Sequence, residues 1–303
     1  MITGKTQLLG VIGHPVEHSL SPTMHNAAIA NLGLDYVYLP FPIAPENLKT
    51  ALDGFAAIGV VGFSITIPHK QAILPLLSDI TPIAQAVGAV NTVVRKDNQW
   101  VGTNTDVDGF ISPLRNYNHD WSQQVAVVLG NGGAARAVVA GLTQLGISEI
   151  HLLGRNLEKL QAFQQSWENS PLEVNLQVHE WKSLPELISQ ANLLVNTTPV
   201  GMYPRIGESP VSVEDIANLP PGAIAYDLIY TPNPTQFLQQ AQQVGAVAMD
   251  GLEMLVQQGV IALKMWLQQD TVPIDIMRQA LREQLSGRGR GVGSREQGAG
   301  SRE

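Results

Sequence analysis

Apolar and polar positions alternate along this chain with two different periods. QLLGVI at 7–12 is a continuous apolar run that reads as a strand, followed by the loop HPVEHSLSP. Ser21 before Pro22 reads as an N-cap with proline at the first helical position. Met24, Ala27, Ala28 and Leu32 then form a helical stripe that ends at Gly33. Residues 36–41 read as a strand and 45–56 as a helix with Leu48, Ala51, Leu52 and Phe55 on one face. GVVGFSITI at 59–67 reads as a buried strand stopped by Pro68, with a helix through Leu77 after it. NTVVRK at 91–96 and WVGTN at 100–104 read as two strands joined by a turn at Asp97-Asn98.

A second alternation starts near 123, with QVAVVLG as a strand. It predicts helices over 133–145 and 156–168, and strands over 149–154, 172–178, 191–197 and 223–229. From 251 the pattern becomes two helices, about 251–269 and 273–285. The first has Leu252, Leu255, Val256, Gly259, Leu263, Trp266 and Leu267 on one face. Its second stripe is Met254, Gln258, Ile261 and Met265, with Gln258 the one strongly polar member. Strands separated by helices predict an α/β protein with parallel sheets covered on both faces.

Composition narrows the chemistry. A length of 303 residues predicts two domains. With no Cys, disulfides, thiolate metal sites and a cysteine nucleophile are excluded. The formal net charge of −8 argues against nucleic acid or an acidic membrane as a partner. Residues 287–303 are different: they hold 4 Arg, 2 Glu and 6 Gly, which leaves 14 basic and 24 acidic residues in the body. This low-complexity tail is expected to be disordered and solvated. No stretch approaches the roughly 20 apolar residues of a membrane helix, and the start lacks a signal-peptide pattern, so a cytoplasmic location is expected.

The strongest single motif is VAVVLGNGGAARAV. Gly130, Gly132 and Ala135 fall in the G-x-G-x-x-G/A spacing between a strand and a helix. That context suits a pyrophosphate resting on backbone N–H groups at a helix N-terminus. The next strand ends in Gly154, Arg155 and Asn156, with Lys159 one turn later. An NAD site would place a carboxylate there, whereas a guanidinium pairs with a 2′-phosphate, so NADP is favoured. In the first hundred residues three polar clusters interrupt the strands: His18 to Ser21, Ser64 to Lys70, and Asn91-Thr92 with Asn104 to Asp106. Hydroxyls, amides, Lys70 and Asp106 suit a small polyhydroxylated acid, with Lys70 as the natural proton-transfer group. Ser19 and Ser21 could equally make turns and cap a helix, Lys70 could be an ordinary surface lysine on a helix's first turn, and Asp106 could cap the following helix. His14, His18 and His25 are close in sequence, but Pro15 spoils a helical metal site and none is expected. His69 reads as a packing or surface residue.

With these clusters placed, the chain resembles the shikimate dehydrogenase family from about residue 8 to 285. The resemblance rests on GHPVEHSLSPTMHN, TIPHK, VGAVNTV, GTNTDVDGF, GNGGAARAV, VNTTPVGM, YDLIYTPNPTQFL and DGLEMLVQQG, in that order. It implies reversible reduction of 3-dehydroshikimate to shikimate with NADPH, in aromatic amino acid (chorismate) biosynthesis. It also implies two α/β domains with a cleft between them. Residues 1–105 with 251–286 would bind substrate, 106–250 would be a Rossmann-like NADP domain, and 287–303 would be tail. By resemblance Ser19 and Ser21 hold the substrate carboxylate with Tyr230 nearby. Thr66, Asn91, Asp106 and Gln258 contact ring hydroxyls, and Lys70 transfers the proton, paired with Asp106. Gly130, Asn131, Gly132, Gly133 and Ala134 cradle the pyrophosphate. Arg155, Asn156 and Lys159 surround the 2′-phosphate, while Leu228 and Gly251 border the nicotinamide. Three positions depart from the family pattern: Ser64-Ile65 in place of Asn-Val, Gly154 in place of Asn, and Glu253 in place of Gly. A quinate/shikimate dehydrogenase and a non-catalytic NADP-binding redox sensor are the alternatives. A homodimer is left open.

Overall fold

The computed structural model describes residues 2–117 and 120–292. In chain order its elements begin β1 (Gln7–Gly13), α1 (Ser21–Asn31), β2 (Tyr36–Pro42), α2 (Leu48–Ala57), β3 (Gly62–Ile65), α3 (His69–Ala72), β4 (Asp79–Ile80) and α4 (Pro82–Val87). They continue with β5 (Thr92–Lys96), β6 (Gln99–Thr103), α5 (Asp106–Arg115), β7 (Val125–Leu129), α6 (Gly133–Leu145), β8 (Glu149–Gly154), α7 (Leu157–Gln165) and β9 (Leu176–Glu180). The last are α8 (Leu184–Ile188), β10 (Leu193–Asn196), α9 (Val213–Ile216), β11 (Ile224–Asp227), α10 (Gln236–Gln243), β12 (Val247–Met249), α11 (Leu252–Leu267) and α12 (Ile274–Val292). Two compact units result. One runs through Leu76 and adds Thr92–Val101 and the chain from Gly259 onward; the other is Leu77–Asn91 with Gly102–Gln258.

In the first unit the strands run in the order β2-β1-β3-β5-β6. β1 pairs in parallel with β2 and β3, but β3 and β5 are antiparallel, so the sheet is mixed rather than parallel throughout. β5 leads into β6 through a tight turn: Asp97 and Asn98 both have positive φ, 50° and 62°, which is what a two-residue hairpin turn needs to follow the strand twist. Tyr38, Phe63 and Trp266 are fully buried or nearly so, and the Trp266 indole donates to the Val93 carbonyl at 2.9 Å. Gly62 leaves the space that the indole fills; a Cβ there would overlap it.

His25 of α1 also lies in this core, at 0% exposure and with no partner for either ring nitrogen. It stacks on Tyr38 with ring centroids 4.3 Å apart. Burial alone holds its pKa down at about 3, so the ring is neutral in the folded state. An unfolded histidine takes its proton near pH 6.5, so this contribution to stability is present above that pH and is lost as pH falls toward 3. Between pH 6.5 and 4.5 the loss is about 2–3 kcal/mol. His25→Leu should remove that part of the acid sensitivity in urea titrations at the two pH values. Equal pH-dependent losses in both proteins would refute it.

In the second unit the order is β12-β11-β10-β7-β8-β9, with every neighbouring pair parallel. The chain moves outward from β7 to β9, then returns to β10 on the other side of β7. This reversal creates the switch point at which ligands bind in such sheets. Phe110, Val138, Leu160 and Phe163 bring α5, α6 and α7 onto one face, while Leu187, Ile216, Phe237 and Leu238 bring α8, α9 and α10 onto the other. Arg136 of α6 donates to the carbonyls of Ala86 and Val87 at the end of α4 and lies over the Trp167 ring at 4.9 Å. The helix after the glycine loop is thereby tied to the segment that leads into Asn91.

Several elements differ from the expected ones. The strand over 59–67 is only Gly62–Ile65, because the chain turns at Gly59 with φ 75°. The helix expected to reach Leu77 stops at Ala72. The strand over 172–178 begins at Leu176, where pairing to Ile150 starts. α12 continues to Val292, so residues 287–292 extend a helix where disorder was expected, since adding a residue to a formed helix costs less than nucleating one. Residues 293–303 of the expected tail lie outside the described residues.

Candidate active site

In the first unit, β1 and β3 are parallel, so the loops after Gly13 and Ile65 leave the same edge of the sheet. Thr66 follows β3 directly, and its N–H donates to the Ile12 carbonyl at 2.9 Å. A side chain at Gly13 would overlap the Thr66 methyl, so the glycine sets how close the two loops lie. On the other loop, the Ser19 hydroxyl accepts from the Ser21 N–H at 3.3 Å. Ser21 is not the N-cap that its position before Pro22 predicted. α1 begins at Ser21 itself, and Leu20 occupies the cap position with no side-chain bond. The Ser21 hydroxyl is therefore not spent on capping. His69 is fully buried, and its Nε2 donates to the Ile43 carbonyl at 2.7 Å, which confirms its packing role and pins the start of α3. Lys70, half-buried, follows it on that short helix.

In the second unit, Asn91 is 2% exposed. Its Nδ2 donates to Asp106 Oδ1 at 2.8 Å and to the Thr105 hydroxyl at 3.0 Å, while its Oδ1 accepts from the Thr105 N–H at 2.7 Å. Asn104 completes the knot by accepting from the Asp106 N–H at 3.0 Å. Asp106 is the first residue of α5, with Thr105 at the cap, so its carboxylate is held by Asn91 rather than by a helix end. One turn along, Gly109 lets α11 come close, since a Cβ there would lie 2.9 Å from the Gln258 Cβ. Asp106 and Gly109 share a helix face, which places Asp106 and Gln258 on adjoining helices. Gln258 is 8% exposed and donates through Nε2 to the Leu255 carbonyl at 2.8 Å.

The glycine loop sits at the C-terminal end of β7. Gly130 has φ 101° and a Cβ there would lie 2.9 Å from the Thr197 hydroxyl, so only glycine fits. Gly132 and Gly133 are different: nothing lies within 4 Å of where their Cβ atoms would be. The N-terminus of α6 has no side-chain cap, and its first N–H groups have no intrahelical partner. An open space facing unpaired N–H donors matches a pyrophosphate. The pocket there measures about 390 Å³. It is lined by Gly130–Gly132, Gly154, Arg155 and Trp181 together with Thr197–Val200, Arg205 and Glu208–Pro210. Arg155 is exposed and has no ion-pair partner among the described residues. Asn156 and Lys159 are exposed as well and do not line the pocket; the Asn156 side chain caps α7 by accepting from the Lys159 N–H at 2.9 Å. Gly154 makes room for Leu160, whose Cδ2 would be 2.9 Å from a Cβ. Trp181, Thr197, Thr198 and Arg205 were not expected in the pocket. Thr197 and Thr198 lie in the VNTTPVGM motif, to which no role was given, while Trp181 and Arg205 lie outside every motif and only the strand order puts them there.

Farther along, Gly251 packs against Leu228 so closely that a Cβ would overlap the Leu228 carbonyl oxygen. The Leu228 turn hangs from Asp227, which is 0% exposed. Its Oδ1 accepts from Asn196 at 3.0 Å and from the Ile229 N–H at 3.1 Å, and its Oδ2 accepts from Thr235 at 2.7 Å. Burial lifts its pKa to about 6 against the pull of these three donors. Tyr230, half-buried, lies just beyond the turn.

The geometry agrees with the comparisons. Residues 11–93 match the shikimate dehydrogenase substrate binding domain, 114–253 the shikimate / quinate 5-dehydrogenase model, and 251–282 the shikimate 5'-dehydrogenase C-terminal domain. A shikimate dehydrogenase (NADP(+)) of Trichormus variabilis is 72% identical over 286 residues, covering 94% of this chain and 99% of its own. The chain belongs to the shikimate dehydrogenase family. Shikimate 5-dehydrogenase of Thermus thermophilus, solved with NADP(H) and shikimate, superposes with a TM-score of 0.81 at 33% identity, covering 92% of this chain and 99% of its own. The 5-ketofructose reductase of a Gluconobacter species superposes with a TM-score of 0.82 at 31% identity, covering 93% and 99%. The family fold therefore accommodates more than one substrate. Among the described residues no helix is long and apolar enough to cross a membrane, and no group of His, Cys, Asp and Glu is arranged to hold a metal.

Proposed function

We propose that this chain reduces 3-dehydroshikimate to shikimate reversibly with NADPH, in aromatic amino acid biosynthesis in the cytoplasm. Ser19 and Ser21 hold the substrate carboxylate, with Tyr230 beside them. Thr66, Asn91, Asp106 and Gln258 bond the ring hydroxyls. In the reductive direction NADPH supplies the hydride when bound. Lys70 gives a proton to the substrate's carbonyl oxygen as negative charge develops there, and takes it back in the oxidative direction. Asp106, already oriented by Asn91, bonds the neighbouring hydroxyl. Gly130 through Ala134 hold the pyrophosphate, Leu228 and Gly251 border the nicotinamide, and Arg155, with Asn156 and Lys159 near it, meets the 2′-phosphate. Substrate binding falls to 1–105 with 251–286 and cofactor binding to 106–250, a division by role.

The observation that carries the cofactor half is that Gly130–Gly132 and Arg155 line one pocket. The substrate half rests on the 72% identity to a relative matched over nearly its whole length. The test is oxidation of shikimate and quinate, each with NADP+ and NAD+. Shikimate with NADP+ should be the preferred pair; preference for quinate or for NAD+ would overturn the reading. Arg155→Ala should raise the KM for NADPH far more than that for NADH, by a factor of about 10 to 100. Equal effects on both would remove Arg155 from 2′-phosphate recognition.

A further inference from the structure

The pocket contains a second guanidinium that the family motifs do not account for. Arg155 follows β8 and Trp181 follows β9, so both enter from one side of β7. Arg205 lies in the connection between β10 and α9, and β10 flanks β7 on the other side. The two arginines therefore reach one pocket from strands on opposite sides of β7.

The Arg205 loop is built. Its backbone N–H donates to the Met202 carbonyl at 2.7 Å, and the Glu208 N–H donates to the Arg205 carbonyl at 3.2 Å. Gly201, with φ 108°, packs against the Glu208 carbonyl and Thr235. The guanidinium itself is held only loosely. Its partner is Glu208 at 3.7 Å, and both side chains are about half exposed, at 43% and 54%. An exposed pair of this kind contributes almost nothing net, so Arg205 can leave Glu208 at little cost. A phosphate offers shorter, bidentate, charge-assisted bonds in exchange. In a sheet of this topology the adenosine half of a dinucleotide lies over β8 and β9, and its pyrophosphate lies at the loop after β7. The β10 connection adjoins the glycine loop, since a Cβ at Gly130 would lie 2.9 Å from the Thr197 and Thr198 side chains, so the pyrophosphate is the phosphate nearest that connection.

We propose that Arg205 is a second phosphate-binding residue of the cofactor site and engages the pyrophosphate. The proposal rests on the reading of this pocket as the NADP site. The two arginines then divide the anion: Arg155 takes the 2′-phosphate and Arg205 the pyrophosphate. Arg205 supports binding of both dinucleotides, whereas Arg155 discriminates between them.

Equilibrium binding of NADP+, NAD+ and 2′-AMP tests this without turnover. Trp181 provides a signal, because the other four tryptophans are 9% exposed or less while Trp181 lines the pocket. Calorimetry gives an independent Kd. Arg205→Gln should weaken NADP+ and NAD+ by a similar factor, about ten- to a hundredfold, and leave 2′-AMP unchanged because it has no pyrophosphate. Arg155→Ala should weaken NADP+ and 2′-AMP and spare NAD+. Glu208→Gln should leave NADP+ binding the same or tighten it. The Tm of each variant without ligand should match that of the parent, which separates binding from folding. Unchanged NADP+ affinity in Arg205→Gln, or a loss confined to NADP+ and 2′-AMP, would overturn the proposal. If Arg155→Ala also leaves every ligand unaffected, the reading of the pocket fails as well.

Discussion

Lys70→Ala should bind shikimate and NADP+ with dissociation constants near those of the parent while its turnover falls about 100- to 10,000-fold, the usual contribution of a positioned acid or base. The split follows from the role proposed for this residue. In the proposed site the carboxylate and ring hydroxyls are assigned to Ser19, Ser21, Asn91 and Gln258, so removing Lys70 should leave most of the ground-state contacts in place. What it removes is the proton that meets charge on the carbonyl oxygen only as the hydride arrives. Lys70→Arg sharpens the result. It keeps a cation, but a guanidinium does not release a proton in this pH range, so turnover should remain low. NADPH absorbance gives the rates and ligand titration gives the affinities. Turnover near the parent level in Lys70→Ala, or full rescue by arginine, would take proton transfer away from this residue.

Asp227→Asn should stabilise the protein at pH 7 and flatten its dependence on pH between about 4 and 6. The buried Asp227 carboxyl has its pKa raised to about 6, against an unfolded value near 3.8. Within that window the folded state binds more of the proton, so stability falls as pH rises and stays lower above it. Two units correspond to roughly 3 kcal/mol. Asparagine keeps the acceptor for Asn196 and the Ile229 N–H, and its amide can donate to the Thr235 hydroxyl. Asp227→Ala should do the opposite, because three buried donors lose their acceptor at about 1–3 kcal/mol each. Urea unfolding of the three proteins at pH 4 and pH 7 decides the matter. Parallel pH curves for the parent and the asparagine variant would show that the carboxyl does not titrate in this window.

How much of this was legible in the sequence depended on whether a local pattern carried it. α6 and β8 begin and end where the reading placed them, because a glycine turn opens one and an unbroken apolar run defines the other. The hairpin turn at Asp97-Asn98 was legible for a similar reason: those residue types tolerate positive φ. α10 was missed because QFLQQAQQ has too few apolar residues to show a stripe, although Phe237, Leu238 and Ala241 are all buried. Ser21 was misread because a serine before proline looks the same whether it caps the helix or starts it; only the backbone distinguishes the two. In the pocket beside the glycine loop, Gly130 and Arg155 were legible because the loop's backbone demands and the end of the next strand fix their positions. Trp181 and Arg205 reach the pocket from loops that obey no such rule, and only the order of strands brings them to it.

The way α1 is covered has a consequence for how the chain is made. α1 packs against α12, and Met24 and Ala28 on one helix and Met277 and Leu281 on the other are fully buried. α1 is therefore completed by a helix made much later in synthesis. Some 250 residues separate Asn31 from Leu281, which at about 5–20 residues per second is a delay of roughly 12–50 s. During that interval the second unit has all of its sequence and can close first, while the apolar face of α1 waits for its cover. Chaperone demand should accordingly fall on the N-terminal segment of the nascent chain, and a stop codon shortly before α12 would leave that segment, not only the C-terminus, unfinished.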